Sequence, residues 1–350
     1  MAEIRGLFPE EWAEVLAEYG QKPYRGTQIF RGFHQRCAED WSRLTDLPLD
    51  LRKRLGEIFP VQPLRIDSRR ESRDGTVKFT LELWDELGIE AVLMDHQGDY
   101  TRNRKTLCVS SQVGCGMGCA FCATGRMGWT RDLSAGEILG QVLDITRFQR
   151  VHDPDFKIGN VVFMGMGEPL LNYEAVVRSI RLLNHRDGQN IGIRRLTVST
   201  CGLPEQIRRL AREGLDIVLA VSLHAPNDAL RGQIMPAARR WPLKALLDAC
   251  RDYIRALRRR VTFEYVLIRG LNDGAGHGLE LAALLDGIFC NVNLIPVNES
   301  AAHPYAAPDA ARVEDFRRIL AERGIPAAVR ERKGADIGGA CGQLIWARGE

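Results

Sequence analysis

A chain of 350 residues with 45% hydrophobic and 27% charged residues can bury a large core, and it has none of the bias of a disordered or fibrous protein. No apolar run approaches the length that crosses a bilayer, and the first eleven residues carry three glutamates without the apolar core of a secretory signal, so a soluble, cytosolic protein is expected. A formal charge of +3 is too small to argue for nucleic-acid binding by itself, and nine cysteines, three of them in one short segment, favour metal or catalytic use over a disulfide framework.

Residues 10–19, 26–37 and 47–58 carry apolar residues at helical spacing with no strand between them, which predicts a helical domain over residues 1–70. Within it Lys22, Arg25, Arg31, Arg36, Arg52, Lys53 and Arg54 lie among Tyr24, Phe30 and Phe33. That mixture suits an RNA-contacting face, and equally an ordinary solvated helical surface. Residues 76–83 and 88–94 alternate as a β-hairpin, and with the polar stretch 95–104 they make a connecting region, 71–104.

From residue 105 to 350 the pattern changes. Strand-like runs at 105–110, 160–163, 195–199, 216–222, 262–268 and 291–295 alternate with amphipathic helical segments, which predicts an α/β fold with a parallel sheet. Six such units are fewer than the eight of a closed barrel and fit an open, partial (β/α)6 barrel.

Gly114-Cys115-Gly116-Met117-Gly118-Cys119-Ala120-Phe121-Cys122 places three thiols within eight positions on a glycine-rich loop. Thiolates are soft ligands suited to iron–sulfur clusters, and three of them on a four-iron cube leave one iron open to a substrate. The other reading is a structural zinc completed by Cys108 or a histidine, although zinc knuckles usually present two well separated C-x-x-C halves. Gly165-Met166-Gly167-Glu168-Pro169 brings a pliable backbone and a carboxylate to the end of the next strand; as a lone pattern it is also a plain turn into a helix. Ser199, Ser222-Leu223-His224 and Asn298 fall at the ends of later strands, as ligands to a small molecule or as strand-end caps. Cys37, Cys201, Cys250 and Cys290 read as packing residues.

The C-x-x-x-C-x-x-C spacing resembles that of radical S-adenosylmethionine (SAM) enzymes, and more specifically the chain resembles the RlmN/Cfr family of RNA adenosine methyltransferases. The resemblance rests on Thr106-Leu-Cys-Val-Ser-Ser-Gln-Val-Gly-Cys115, Phe163-Met-Gly-Met-Gly-Glu-Pro169, Val221-Ser-Leu-His-Ala-Pro226 and Ala340-Cys-Gly-Gln-Leu344, in family order over nearly the whole chain. It implies a radical SAM barrel in which Cys115, Cys119 and Cys122 hold a [4Fe-4S] cluster. Gly167, Glu168, Ser199, Ser222, Leu223, His224 and Asn298 would then bind SAM, two molecules per turnover. It also implies the chemistry: Cys341 takes a methyl group from one SAM, a radical from the second removes a hydrogen, and the resulting methylene radical adds to adenine.

Cys108 would release the product by closing a disulfide to Cys341, and Glu90 would accept a proton. The implied partners are 23S rRNA, tRNA and an electron donor such as flavodoxin or ferredoxin. Cys122-Ala-Thr-Gly-Arg-Met-Gly-Trp129 and Ser134-Ala-Gly-Glu-Ile138 look like the housekeeping branch, which methylates carbon 2; the resistance branch methylates carbon 8. Gly339 stands where the family has alanine, so extra mobility is expected near Cys341.

Overall fold

The computed structural model describes residues 4–98 and 101–346. Three helices, α1 (Pro9–Ala17), α2 (Tyr24–Phe30) and α3 (Leu49–Ile58), enclose a small core of their own, and α2 runs on into a π-helical turn at Arg31–Gln35. Trp12 stands edge-on to Trp41 and Phe59, with ring centroids 5.7 and 5.9 Å apart, and Leu16, Ile29, Phe33 and Leu55 fill the remaining space.

Phe30 and Phe33, expected on a basic outer face, are buried, and only Tyr24 of the three aromatics is exposed. The helical spacing that marked them apolar is what turns them inward. Several of the basic residues are engaged locally. Arg31 pairs with Asp187 and Arg36 with Asp46, Arg52 donates to the Ser42 carbonyl, and Arg25 and Arg54 lie over the Tyr24 and Tyr19 rings.

The sheet begins as an antiparallel meander of β1 (Arg65–Glu71), β2 (Val77–Glu82), β3 (Gly88–Gly98) and β4 (Thr101–Cys108). A separate hairpin, β5 (Gln112–Cys115) and β6 (Gly128–Asp132), encloses the short helix α4 (Ala123–Met127). Beyond β4 the main sheet continues in parallel through β7 (Asn160–Phe163), β8 (Leu196–Thr200), β9 (Val218–Ser222), β10 (Val261–Leu267), β11 (Cys290–Pro296) and β12 (Ala327–Val329). The connections carry α5 (Ala135–Arg150), α6 (Tyr173–Asn184), α7 (Pro204–Arg212), α8 (Asp228–Ile234), α9 (Leu243–Leu257), α10 (Ala275–Leu284) and α11 (Ala310–Glu322).

The six expected parallel strands are β4 and β7 to β11, and the partial barrel is present. Three features differ from expectation. β12 adds a seventh parallel strand, three residues long at the sheet edge. β1 belongs to the sheet, so the helical unit ends well short of residue 70; its sequence is polar and its side chains nearly all exposed, because an edge strand is held by backbone pairing. The stretch 95–104 is mostly strand, with Asp95 opposite Lys105 and Gly98 opposite Thr101, so Glu90 keeps its place in an unbroken register opposite Thr80.

Candidate active site

The ends of β4, β7, β8, β9 and β11 form one rim, and the sequence motifs converge there. The thiol loop is held by its own hairpin. Gly114 has φ +74°, and a Cβ on it would overlap the Gly128 carbonyl oxygen, so the two arms cross only with glycine at that point. The loop is tied down by Ala120 N–H to the Ile234 carbonyl and Ala123 N–H to the Gly342 carbonyl, both at 2.8 Å, and by the Phe121 ring set edge-on against His224 at 4.9 Å.

Burial pushes the Cys115 thiol up to about 12, with Cys119 and Cys122 close enough to add to the effect, and Cys122 is raised by burial and by Cys119. Among the described residues no three Cys, His, Asp or Glu side chains converge tightly enough for a single metal ion. The donor set, three soft thiols on one glycine-rich loop, fits an iron–sulfur cube, which takes its thiolates at separate corners.

The Gly165–Pro169 turn packs directly on the thiol hairpin. Gly165 N–H bonds to the Val109 carbonyl, Ser111 N–H to the Met166 carbonyl, and Glu168 N–H to Gln112 Oε1 at 2.8 Å. Gly167 has φ +104°, and a Cβ there would press on Gln112 at 2.7 Å. Glu168 is buried, its carboxylate accepting the N–H groups of Leu170 at 3.0 Å and Cys201 at 2.6 Å; burial raises its carboxyl above the usual range.

Ser199 and Ser222 are half-buried at positions alternating with the core residues Val198 and Val221, which turns them toward the barrel interior. Leu223 and His224, expected at the SAM site, also make structural contacts at the rim. The Leu223 side chain is in the core, its N–H bonds to the Glu264 carbonyl, and its own carbonyl accepts from Arg231. His224, with φ +61°, accepts the Val266 N–H on Nδ1 at 3.0 Å, and burial lowers its pKa to about 3, so it is a neutral brace beneath Phe121. Asn298 donates to the Cys341 carbonyl at 3.0 Å, while its Oδ1 is buried and without a hydrogen-bond partner among the described residues. An orphaned buried acceptor at this rim fits a ligand that brings a donor, such as the adenine amine of SAM.

Cys108, at the end of β4, and Cys341, on the C-terminal loop, lie close enough that charge on Cys341 adds to the rise that burial imposes on Cys108. Cys341 keeps solvent access, and the protein around it raises its thiol as well. The loop is pinned despite Gly339. Gly334, at φ +65°, donates to Asp74 at 2.9 Å, Asp336 accepts from Ser72 at 2.6 Å, Leu344 O accepts from Thr124 at 2.6 Å, and Ile345 N–H bonds to Glu90 Oε2 at 2.9 Å. Glu90 Oε1 is 2.7 Å from Lys78 Nζ, both side chains being buried, so Glu90 anchors the cysteine-bearing loop as well as facing it. Burial raises its carboxyl, and Lys78 opposes that rise.

Four contributors had not been anticipated from the sequence. Lys78 lies diagonally across β2 and β3 from Glu90, a pairing that charged residues on the inward face of an alternating hairpin signal. Gln141, fully buried on α5, bonds to both the N–H and the carbonyl of Ser110 at 2.8 Å. Arg231 is buried, forms no ion pair among the described residues, and donates to the carbonyls of Cys201, Ser222, Leu223 and Trp241. Cys201, read as packing, stands beside the thiol loop. Cys250 and Cys290 are core residues as expected.

Residues 109–279 match the radical SAM superfamily, and residues 2–61 match the ribosomal RNA large subunit methyltransferase N-terminal domain. The chain is 47% identical over 347 residues to a probable dual-specificity RNA methyltransferase RlmN of Desulfitobacterium hafniense, covering 98% of this chain and 96% of that protein. It is 48% identical over 342 residues to the protein of the same name from Heliobacterium modesticaldum, covering 98% and 89%. The crystal structure of a radical SAM methyltransferase from Sphaerobacter thermophilus superposes with a TM-score of 0.92 at 47% identity, covering 97% of this chain and 98% of that one.

Proposed function

We infer, since this chain belongs to the RlmN family of radical SAM RNA methyltransferases, that it methylates carbon 2 of adenosine in 23S rRNA and in tRNA next to the anticodon. The chain is a radical SAM enzyme, with a [4Fe-4S] cluster and SAM, two per turnover, as its cofactors. The observation that carries the carbon-2 reading is the near full-length identity of 47–48% to proteins named as dual-specificity RNA methyltransferases RlmN, and the bond from Asn298 to the Cys341 carbonyl sets the cysteine-bearing loop at the same rim.

Cys115, Cys119 and Cys122 would hold the cluster and Gly167, Glu168, Ser199, Ser222, Leu223, His224 and Asn298 would hold SAM; together the cofactors would supply the one-electron chemistry, taking one hydrogen atom from the methyl group and one electron from the adduct. That chemistry is needed because carbon 2 of adenine is electrophilic and does not accept SAM's own electrophilic methyl group. Cys341 carries the methyl group as a thioether and becomes joined to the base through it. Glu90, its carboxyl raised by burial, accepts the proton lost from the ring. Cys108 then attacks Cys341 Sγ as its thiol proton is lost: the S–S bond forms as the S–C bond breaks, and the electron pair and a proton go to the methylated base. A thiol reductant restores both cysteines. The electron donor is a flavodoxin or ferredoxin, the location cytosolic, and the helical unit an RNA-binding element.

Nucleoside mass spectrometry after anaerobic reaction of the reconstituted protein with SAM, reductant and unmodified 23S rRNA tests this. 2-Methyladenosine that disappears in Cys341→Ala is the expected result. 8-Methyladenosine would assign the chain the resistance-type chemistry instead, and an intact cluster with no methylated adenosine would exclude this RNA as substrate.

A further inference from the structure

Cys201 lies just past β8, in the turn before α7, and its Sγ is 4.0 Å from Cys119 Sγ, a distance at which one thiol hydrogen-bonds to the other. In a metal-free protein either sulfur can be the donor. Once Cys119 ligates a cluster it has given up its proton, which leaves Cys201 as the only donor of the pair.

The direction of this side chain is set by the backbone on both sides. Cys201 N–H is bonded to Glu168 Oε2 at 2.6 Å, and the Cys201 carbonyl accepts from Arg231 at 2.6 Å. The next residue, Gly202, has φ +94°, and a Cβ on it would press on Leu246 at 2.8 Å, so the turn has little room to shift. One residue therefore touches a cluster thiol through its sulfur and the carboxylate expected to face the SAM amine through its amide.

We propose that Cys201 is a positioning residue for the cluster, donating its S–H to the Cys119 thiolate and thereby raising the cluster's reduction potential. This rests on the reading of Cys115, Cys119 and Cys122 as cluster ligands. Hydrogen bonds to the sulfurs are one of the protein's levers on an iron–sulfur potential, because they draw negative charge away from the thiolate and favour the reduced state. The consequence is a cluster that a donor of given potential reduces more completely. The amide bond to Glu168 links the placement of that sulfur to occupancy of the SAM site.

The test compares wild type, Cys201→Ala and Cys201→Ser after anaerobic reconstitution, measuring iron and sulfide content and then following a redox titration without SAM by electron paramagnetic resonance. The expected result is a full cluster in all three, a more negative midpoint in Cys201→Ala, and a midpoint at or above wild type in Cys201→Ser, whose hydroxyl also donates. An unchanged midpoint in the alanine variant overturns the proposal, and so does a serine variant no higher than alanine. If Cys201→Ala does not hold its cluster, the serine variant decides alone: a midpoint below wild type overturns the proposal. Wild type that takes up no iron refutes the cluster reading itself, a result distinct from all of these.

Discussion

Arg231 is a guanidinium 1% exposed that makes no ion pair among the described residues and directs its donors to carbonyls at the ends of β8 and β9. Arg231→Met keeps the volume and leaves those carbonyls unpaired in a buried place. A loss of roughly 3 kcal/mol is expected, read as a lower urea midpoint, together with weaker iron uptake as the turn at Cys201 loosens. Lys78 acts on a single carboxylate. Lys78→Met leaves Glu90 buried with only the Ile345 N–H, so its carboxyl, already raised by burial, rises further. A base is active when deprotonated, so the acidic limb of ring-proton loss is expected to move to higher pH; a superimposable pH–rate profile would exclude Glu90 as the base.

At the scale of the element, the π-helical turn after α2 carries His34, whose ring stacks on Phe30 at 4.0 Å and finds no hydrogen-bond partner for either nitrogen among the described residues. Burial, aided by the positive charge of Arg5, lowers its pKa to about 3. The unfolded chain therefore binds a proton that the folded one refuses. The stability this group permits is whole above about pH 6.5 and is lost as pH falls toward 3, and His224 behaves in the same way. His34→Phe, which suits an apolar stacked site, is expected to flatten the acid limb of stability against pH in chemical denaturation; an unaltered limb would show that His34 is not a source of the acid sensitivity.

Across the whole molecule, Asp144, fully buried on α5, receives Arg5, Arg147 and the Leu64 N–H and so is the buried tie among several that join the helical unit to the barrel. Asp144→Ala strands the buried Arg5 charge at a cost of about 3–5 kcal/mol. The expected outcome is early release of the helical unit, read as a separate transition in urea and as new proteolytic cleavage around residues 59–64 while the barrel stays folded. A single cooperative transition at the wild-type midpoint would refute this coupling.

Local chemistry was readable along the chain: the C-x-x-x-C-x-x-C loop, the glycine turn before Glu168 and the six apolar parallel strands each declare themselves through neighbouring residues, whereas Cys108 and Cys341 stood out only through the family resemblance. Apolar alternation reports burial, so it passed over β1 and β12, which backbone pairing at an edge holds in place, and it marked Phe30 and Phe33 as apolar although charge patterning placed them on an outer face. What tertiary structure alone decided is which distant groups meet. The Lys78–Glu90 pair, the bond from Glu90 to the loop bearing Cys341, the Arg231 clasp and the approach of Cys201 to Cys119 all join residues far apart in sequence, and only the closure of the sheet brings those partners within hydrogen-bonding distance.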